Sequence, residues 1–212
     1  MPTREPNPGE NPFGSDPFIL VTPGGGGDGR ELMDWVLRAY AAQARPLFPA
    51  IIALGPFMPV DAQRRFMARA DALRLVHVLE FTPTIEHLMA QAMAVVGMGG
   101  YNTFCEILSF DKPTLLVPRV KPRREQAIRA GKAAEAGLLT CLPIDAYPQV
   151  DVMVDALAEL PENPPPSEAG VGDLLSGLDQ INARAAAILS QRELARAPIP
   201  LTVASGRVSR SS

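Results

Sequence analysis

The stretch with the clearest capacity for chemistry is MAVVGMGGYNTFCE, Met93 to Glu106. Met93 to Val96 reads as a buried strand, the run Gly97 to Gly100 lets the backbone turn tightly with no Cβ in the way, and Asn102 or Thr103 is placed to cap the helix that follows. A strand handing over to a helix in this way presents unpaired N–H groups beside the positive end of a helix dipole, which makes a seat for an anion such as phosphate. Each dipole contact is worth only about 0.3–1 kcal/mol when exposed, so a tight site requires further donors. A tight turn that binds nothing would have the same sequence. Glu106 lies one turn past Thr103 on the same helix face. A carboxylate there disfavours phosphate but accepts hydrogen bonds from a vicinal diol such as a ribose.

A second glycine-rich turn, GGGGDG at Gly24 to Gly29, follows the β-rich run FILVT. Gly24, Gly26 and Gly29 fit the dinucleotide fingerprint GxGxxG, a weak signal when it stands alone. A nicotinamide site also needs an acidic residue about 20 positions on, to hold the ribose. No Asp or Glu occurs between Asp34 and Asp61, which argues against a dinucleotide. The loop can accept a phosphate through bare backbone or be a flexible turn. Farther along, KPRREQAIRAGKAAEAGL leads from a basic loop into a helix. Lys121, Arg123 and Arg124 read first as a solvated rim, and Glu125 as ordinary first-turn acid. With a phosphorylated ligand those cations would steer it, and Glu125 and Gln126 would hydrogen-bond its hydroxyls. His77, inside a strand pattern, reads as a core or edge histidine, and His87 as solvated surface. No Ser-His-Asp or Cys-His set can be argued from spacing, and no catalytic residue is assigned.

The elements that position these residues follow from alternation of short apolar runs with helical periodicity. Strands are expected at Phe18 to Thr22, Ala50 to Leu54, Leu73 to Phe81, Met93 to Val96, Thr114 to Val117 and Leu138 to Pro143, with helices between them. This pattern predicts an α/β fold, a Rossmann-like doubly wound parallel sheet of about six strands. In such a sheet ligands bind beyond the carboxyl ends of the strands. That edge would gather the loops Gly24 to Gly29, Gly55 to Pro59, Phe81 to Thr84, Gly97 to Asn102 and Pro118 to Arg124. The domain is expected over 18–160. Residues 1–17, with four prolines among the first dozen, look like a linker, 161–171 like a Pro-rich break, 172–195 like a C-terminal helix and 196–212 like a disordered tail.

Composition narrows the function classes. With 212 residues, 47% of them hydrophobic, the chain can bury one substantial core. A net charge of −3 and no dense Lys/Arg stripe argue against nucleic-acid binding. No run approaches the ~18 apolar residues of a membrane span, and no signal peptide is expected. Cys105 and Cys141 lack metal-ligand spacing and are too few for a disulfide framework, which fits a soluble protein of a reducing cytoplasm.

Taken in order, GGGGDG, EFTPT, VVGMGGYNTFCEIL, KPTLLVP and REQAIRAGKAAEAG resemble the C-terminal nucleotide-binding domain of GT-B glycosyltransferases, most closely glycosyltransferase family 28. The resemblance covers about Phe18 to Leu142. It implies a UDP-sugar donor, with no metal or other cofactor. Phe81 and Thr82 match the segment whose backbone reads the uracil edge. Gly99, Gly100, Tyr101, Asn102 and Thr103 match the loop that receives the donor diphosphate, and Gly25, Gly26, Gly27 and Asp28 the glycine loop near the phosphates. Glu106 matches the acid that grips the ribose, and Glu125 and Gln126 a pair, usually two glutamines, that contacts the donor sugar. Two positions depart from the pattern: Glu125 replaces a glutamine, and Asp28 with a fourth glycine replaces a Ser-Gln pair. Enzymes of this fold carry acceptor site and catalytic base on an N-terminal domain, so a missing N-terminal partner in cis or in trans is implied, and peripheral membrane association of the complete enzyme stays open. A UDP-sugar epimerase half and a non-catalytic binding module are the rival readings.

Overall fold

A computed structural model describes residues 11–25, 27–147, 149–170 and 181–189. Six strands form one parallel sheet: β1 (Ile19–Thr22), β2 (Ala50–Ala53), β3 (Val76–Leu79), β4 (Ala94–Gly97), β5 (Thr114–Leu116) and β6 (Thr140–Cys141). The helices α1 (Arg30–Ala42), α2 (Val60–Ala70), α3 (Ile85–Gln91), α4 (Tyr101–Ser109), α5 (Glu125–Glu135) and α6 (Val150–Glu159) alternate with or follow them. The strand order is β3-β2-β1-β4-β5-β6. The expected α/β, Rossmann-like doubly wound sheet is the fold observed.

The sheet is covered on both faces, which is why its strands are continuous apolar runs instead of alternating ones. All four residues of β1, β2 and β4 are buried. Period-two geometry sends Ile19 and Val21 to one face, where they pack with Trp35 and Val36 of α1, Phe66 of α2 and Leu157 of α6. Leu20 and Val95 point the other way, against Leu88 of α3, Ile107 of α4 and Ala130 of α5. Registers such as Val21 opposite Val96 lock β1 to β4.

Three local expectations need correction. β3 is confined to Val76–Leu79, not Leu73 to Phe81, because Leu73 N–H bonds Ala70 O and Val76 N–H bonds Leu73 O, which closes turns before the strand. β6 is only Thr140–Cys141, an edge strand paired with β5 alone. The cap of α4 is neither Asn102 nor Thr103 but Gly100, whose extended backbone at φ −54°, ψ 149° starts the helix at Tyr101.

The chain divides into two compact units at residue 172. In the first, the segment after α6 holds short 3-10 turns at Leu160–Glu162 and Pro166–Ala169, and the Ser167 N–H and hydroxyl both donate to the Asp111 carboxylate at 2.7 Å. In the second, residues 181–189 are helical; the remainder of the expected 172–195 helix, and the 1–10 and 196–212 segments, lie outside the described residues.

Candidate functional site

The chain runs outward from β1 to β2 and β3, then returns to place β4 on the other side of β1. Successive crossovers on opposite sides leave a crevice at the carboxyl ends of β1 and β4. The two glycine turns of the sequence flank that crevice.

After β1, the Gly24 N–H bonds the Thr22 hydroxyl at 3.1 Å and the chain takes a positive φ of 76° at Gly24. A Cβ there would sit 3.2 Å from Thr103 Oγ1, so the loop approaches α4 through bare backbone. The Gly25 carbonyl accepts from Phe57 N–H at 2.9 Å, which ties this loop to the one after β2. After β4, Gly99 also has φ 76°, and its carbonyl accepts from Arg129 Nη1 at 2.6 Å. The Arg129 guanidinium stands 5.5 Å from the Tyr101 ring centre.

Together these turns wall a cavity of about 470 Å³ lined by Gly24, Gly25, Gly27, Asp28, Phe57, Met98, Gly100, Tyr101, Asn102, Thr103 and Gln126, with Pro23 at its edge. No side chain caps α4. Its first-turn amides, at Tyr101, Asn102 and Thr103, have no acceptor within the helix, and they open onto this cavity beside the positive end of the dipole. With Gly100 at the N-cap in place of the expected Asn or Thr, no side chain takes up these amides. The cavity is also partly apolar: Phe57 and Tyr101 line it, and they are 74% and 68% exposed to solvent.

The structure brings Gly25, Gly27, Gly100, Tyr101, Asn102, Thr103 and Gln126 into one cavity; Gly26 falls outside the described residues. Gly99 stands one residue from the lining. Glu106, half-buried in the second turn of α4, is not part of that lining, nor are Phe81 and Thr82. These three belong to elements on the same face of the sheet, with Ile85 at the start of α3 and Phe104 of α4 packed against one cluster. Thr82 is buried while Phe81 is 53% exposed. Glu125 also stays out of the cavity: its carboxylate is taken by Arg119 Nη2 at 2.9 Å.

Arg119 went unnoticed in the sequence beside the denser Lys121, Arg123 and Arg124, all of which are exposed. Its side chain is folded inward, and its Nε lies 3.0 Å from Asp28 Oδ2, short of the alignment of a hydrogen bond. The Asp28–Arg119 pair stands where the first cavity meets a second of about 620 Å³, lined also by Gly27, Arg30, Glu31, Lys121 and Tyr147. Phe57 and Arg129 were missed as well. The only sequence signal for Phe57 was an aromatic in a Gly-Pro loop at the carboxyl edge; for Arg129 there was none.

Among the described residues there is no group of three His, Cys, Asp or Glu side chains placed to hold a metal ion, and no helix long and apolar enough to cross a membrane. His77 lies on edge strand β3, where partial burial holds its pKa below the ordinary value. His87 is exposed.

Residues 19–164 match the glycosyltransferase family 28 C-terminal domain. No curated protein matches the sequence. Among solved structures, the chain resembles CalG4, the calicheamicin glycosyltransferase, at 20% identity and a TM-score of 0.63, covering 89% of this chain and 45% of that one. It resembles Acinetobacter baumannii MurG at 18% identity and a TM-score of 0.55, covering 69% and 44%. It resembles VinC, solved in complex with DTDP, at 19% identity and a TM-score of 0.53, covering 72% and 35%. At these identities the likeness is one of fold. The chain spans less than half the length of each of these proteins.

Proposed function

Since the chain belongs to the glycosyltransferase family 28 C-terminal domain family, we propose that it is the donor-binding half of a glycosyltransferase, taking a UDP-sugar and working with an acceptor-binding N-terminal domain supplied in cis or in trans. The observation that carries this reading is the uncapped first turn of α4 opening onto the cavity at the β1–β4 crevice.

In this reading the diphosphate lies across the amides of Tyr101, Asn102 and Thr103, with Gly25 and Gly27 closing from the opposite side. Charge developing on the departing diphosphate meets preorganised N–H dipoles, and no metal is called upon for that role. Gly99 sets the turn, and Arg129, donating to the Gly99 carbonyl, holds it. Glu106 accepts hydrogen bonds from the ribose diol, the backbone at Phe81 and Thr82 reads the base, and Gln126 reaches the transferred hexosyl group. The catalytic base belongs to the acceptor-binding domain. The exposed aromatics Phe57 and Tyr101 support a face that ligand and partner domain cover together. Such a half binds donor in the cytoplasm and hardly turns it over alone.

Calorimetric titration of the full chain with UDP, UDP-sugars and DTDP tests the reading. Binding of UDP and a UDP-sugar without turnover is the expected result, and DTDP, whose sugar lacks the 2′-hydroxyl, should bind more weakly than UDP. No nucleotide binding would favour a non-catalytic interaction module instead, and interconversion of sugars an epimerase. Replacing Gln126 with Ala should weaken the UDP-sugar and leave UDP nearly unchanged; equal losses would remove Gln126 from the sugar site.

A further inference from the structure

We infer that Arg119 is a positioning residue for donor-sugar selection, clasping the glycine loop to the first turn of α5. This rests on the donor-half reading above. Arg119 leaves the end of β5 just after Pro118, and its side chain is 20% exposed. Besides its Nη1 bond to the Lys121 carbonyl at 3.4 Å, it reaches three groups in the two loops. Nη2 donates to Glu125 Oε1 at 2.9 Å, Nε approaches Asp28 Oδ2 at 3.0 Å, and the backbone N–H reaches Gln126 Oε1 at 3.4 Å. One residue thus contacts both side chains at the start of α5 and the carboxylate of the glycine loop.

Asp28 and Glu125 are the two positions at which the sequence departs from the pattern it resembles, and in the structure they are opposite ends of one ion-paired set. Arg119 between them draws Glu125 out of the first cavity, so that Gln126 alone of the pair lines it. The geometry is not that of a pair that holds the fold. The Asp28 and Glu125 side chains are 58% and 42% exposed, and ion pairs so open to water contribute little to folding. The Arg119 Nε is buried without an aligned acceptor, although Asp28 Oδ2 stands 3.0 Å away. A planar guanidinium presents its donors to two carboxylates in a fixed fork, whereas an ammonium is a compact point charge that fixes neither. Arg119 therefore acts through Gln126 and Glu125, fixing where hydroxyl-bonding groups stand against the donor sugar.

The test is calorimetric titration of the full chain with UDP, UDP-glucose and UDP-N-acetylglucosamine, for the wild type and for R119A, R119K and D28N, with circular dichroism to establish folding. In R119A the affinity for UDP should stay within about twofold while that for the preferred UDP-sugar falls about tenfold, and R119K should recover less than half of the loss. Equal weakening of UDP and UDP-sugar would overturn the proposal, because Arg119 would then serve the diphosphate. So would no weakening, full rescue by lysine, or a wild type that binds UDP-sugars no more tightly than UDP. A wild type that binds no UDP fails at the earlier step and takes down the donor-half reading itself. If R119A does not fold, D28N carries the test: it should lower the ratio of UDP-sugar affinity to UDP affinity about threefold, and an unchanged ratio overturns the proposal.

Discussion

Asp34 and the first turn of α4 treat polar groups in opposite ways. The Asp34 carboxylate is met entirely from within: by Arg38 Nε at 2.9 Å, the Tyr147 hydroxyl at 2.6 Å and Arg69 Nη1. Arg38 lies 4.7 Å from the Tyr147 ring centre, Tyr147 meets Trp35 edge-on, and Trp35 Nε1 donates to the Gln149 carbonyl at 2.8 Å. The cluster ties α1 to α2 and to the segment leading into α6. At α4 the N-cap is a glycine with no side chain to offer, and the amides are left facing a cavity. A closed polar cluster holds elements together and has nothing to give a ligand. An open one contributes little to the fold and keeps its donors.

The largest expected effect breaks the closed cluster. Asp34→Ala removes the acceptor shared by two guanidinium groups and a hydroxyl, and should cost about 2–3 kcal/mol of stability in urea unfolding, a value moderated by partial solvent access. UDP affinity of the folded variant should not change; loss of affinity at full stability would reverse the comparison. The cluster also predicts a pH dependence. Burial pushes the Asp34 carboxyl up, but hydrogen bonds from Tyr147, Arg69 and Arg38 outweigh it and hold its pKa below 3.8. A depressed acid contributes stability that is complete above its unfolded value and lost as pH falls through the folded one. Acid unfolding should therefore be less steep in Asp34→Ala than in the wild type.

On the open side, Glu106→Ala should weaken UDP by about 2 kcal/mol, the cost of losing hydrogen bonds to a charged group, with DTDP less affected. Unchanged UDP affinity would remove the ribose role. A sharper comparison uses two variants of Tyr101, the first residue of α4. Its predecessor Gly100 is extended, as a residue before proline must be, and a first-turn N–H has no intrahelical acceptor to lose. Tyr101→Pro should therefore fold like Tyr101→Ala yet bind UDP about 1.5 kcal/mol more weakly, because only the proline removes an amide from the anion seat. Equal affinities would mean that this amide does not touch the ligand.

Legibility in the sequence followed the range of each interaction. The β4 turn, both glycine loops and the order of strands and helices were readable, because apolar runs and glycines act on their immediate neighbours. Strand ends were not: Leu73 and Phe81 have strand-like side chains, but turns before Val76 and exposure of Phe81 cut β3 short at both ends. The cap of α4 was misread because Asn102 and Thr103 are the better capping types, while the extended backbone of Gly100 decides where the helix begins. Arg119 and Arg129 were invisible for a different reason. Each matters through a contact made across the fold, to Asp28 in one case and to the Gly99 carbonyl in the other. The Asp34–Tyr147 pair, 113 positions apart, could not be seen for the same reason.

The smallest effect sharpens the comparison with a group that is neither closed nor open. His77 sits on edge strand β3 opposite Ile51, half-buried, and burial lowers its pKa from 6.5. A base with a depressed folded pKa binds fewer protons when folded than when unfolded. Its stability contribution is then complete above 6.5 and lost as pH falls below that value toward the folded one. Urea midpoints measured between about pH 7.5 and about pH 5.5 should fall on acidification in the wild type and fall less in His77→Gln. An identical pH slope in His77→Gln would mean that β3 exchanges this imidazole with water freely, and that partial burial at the sheet edge does not make a polar group part of the fold.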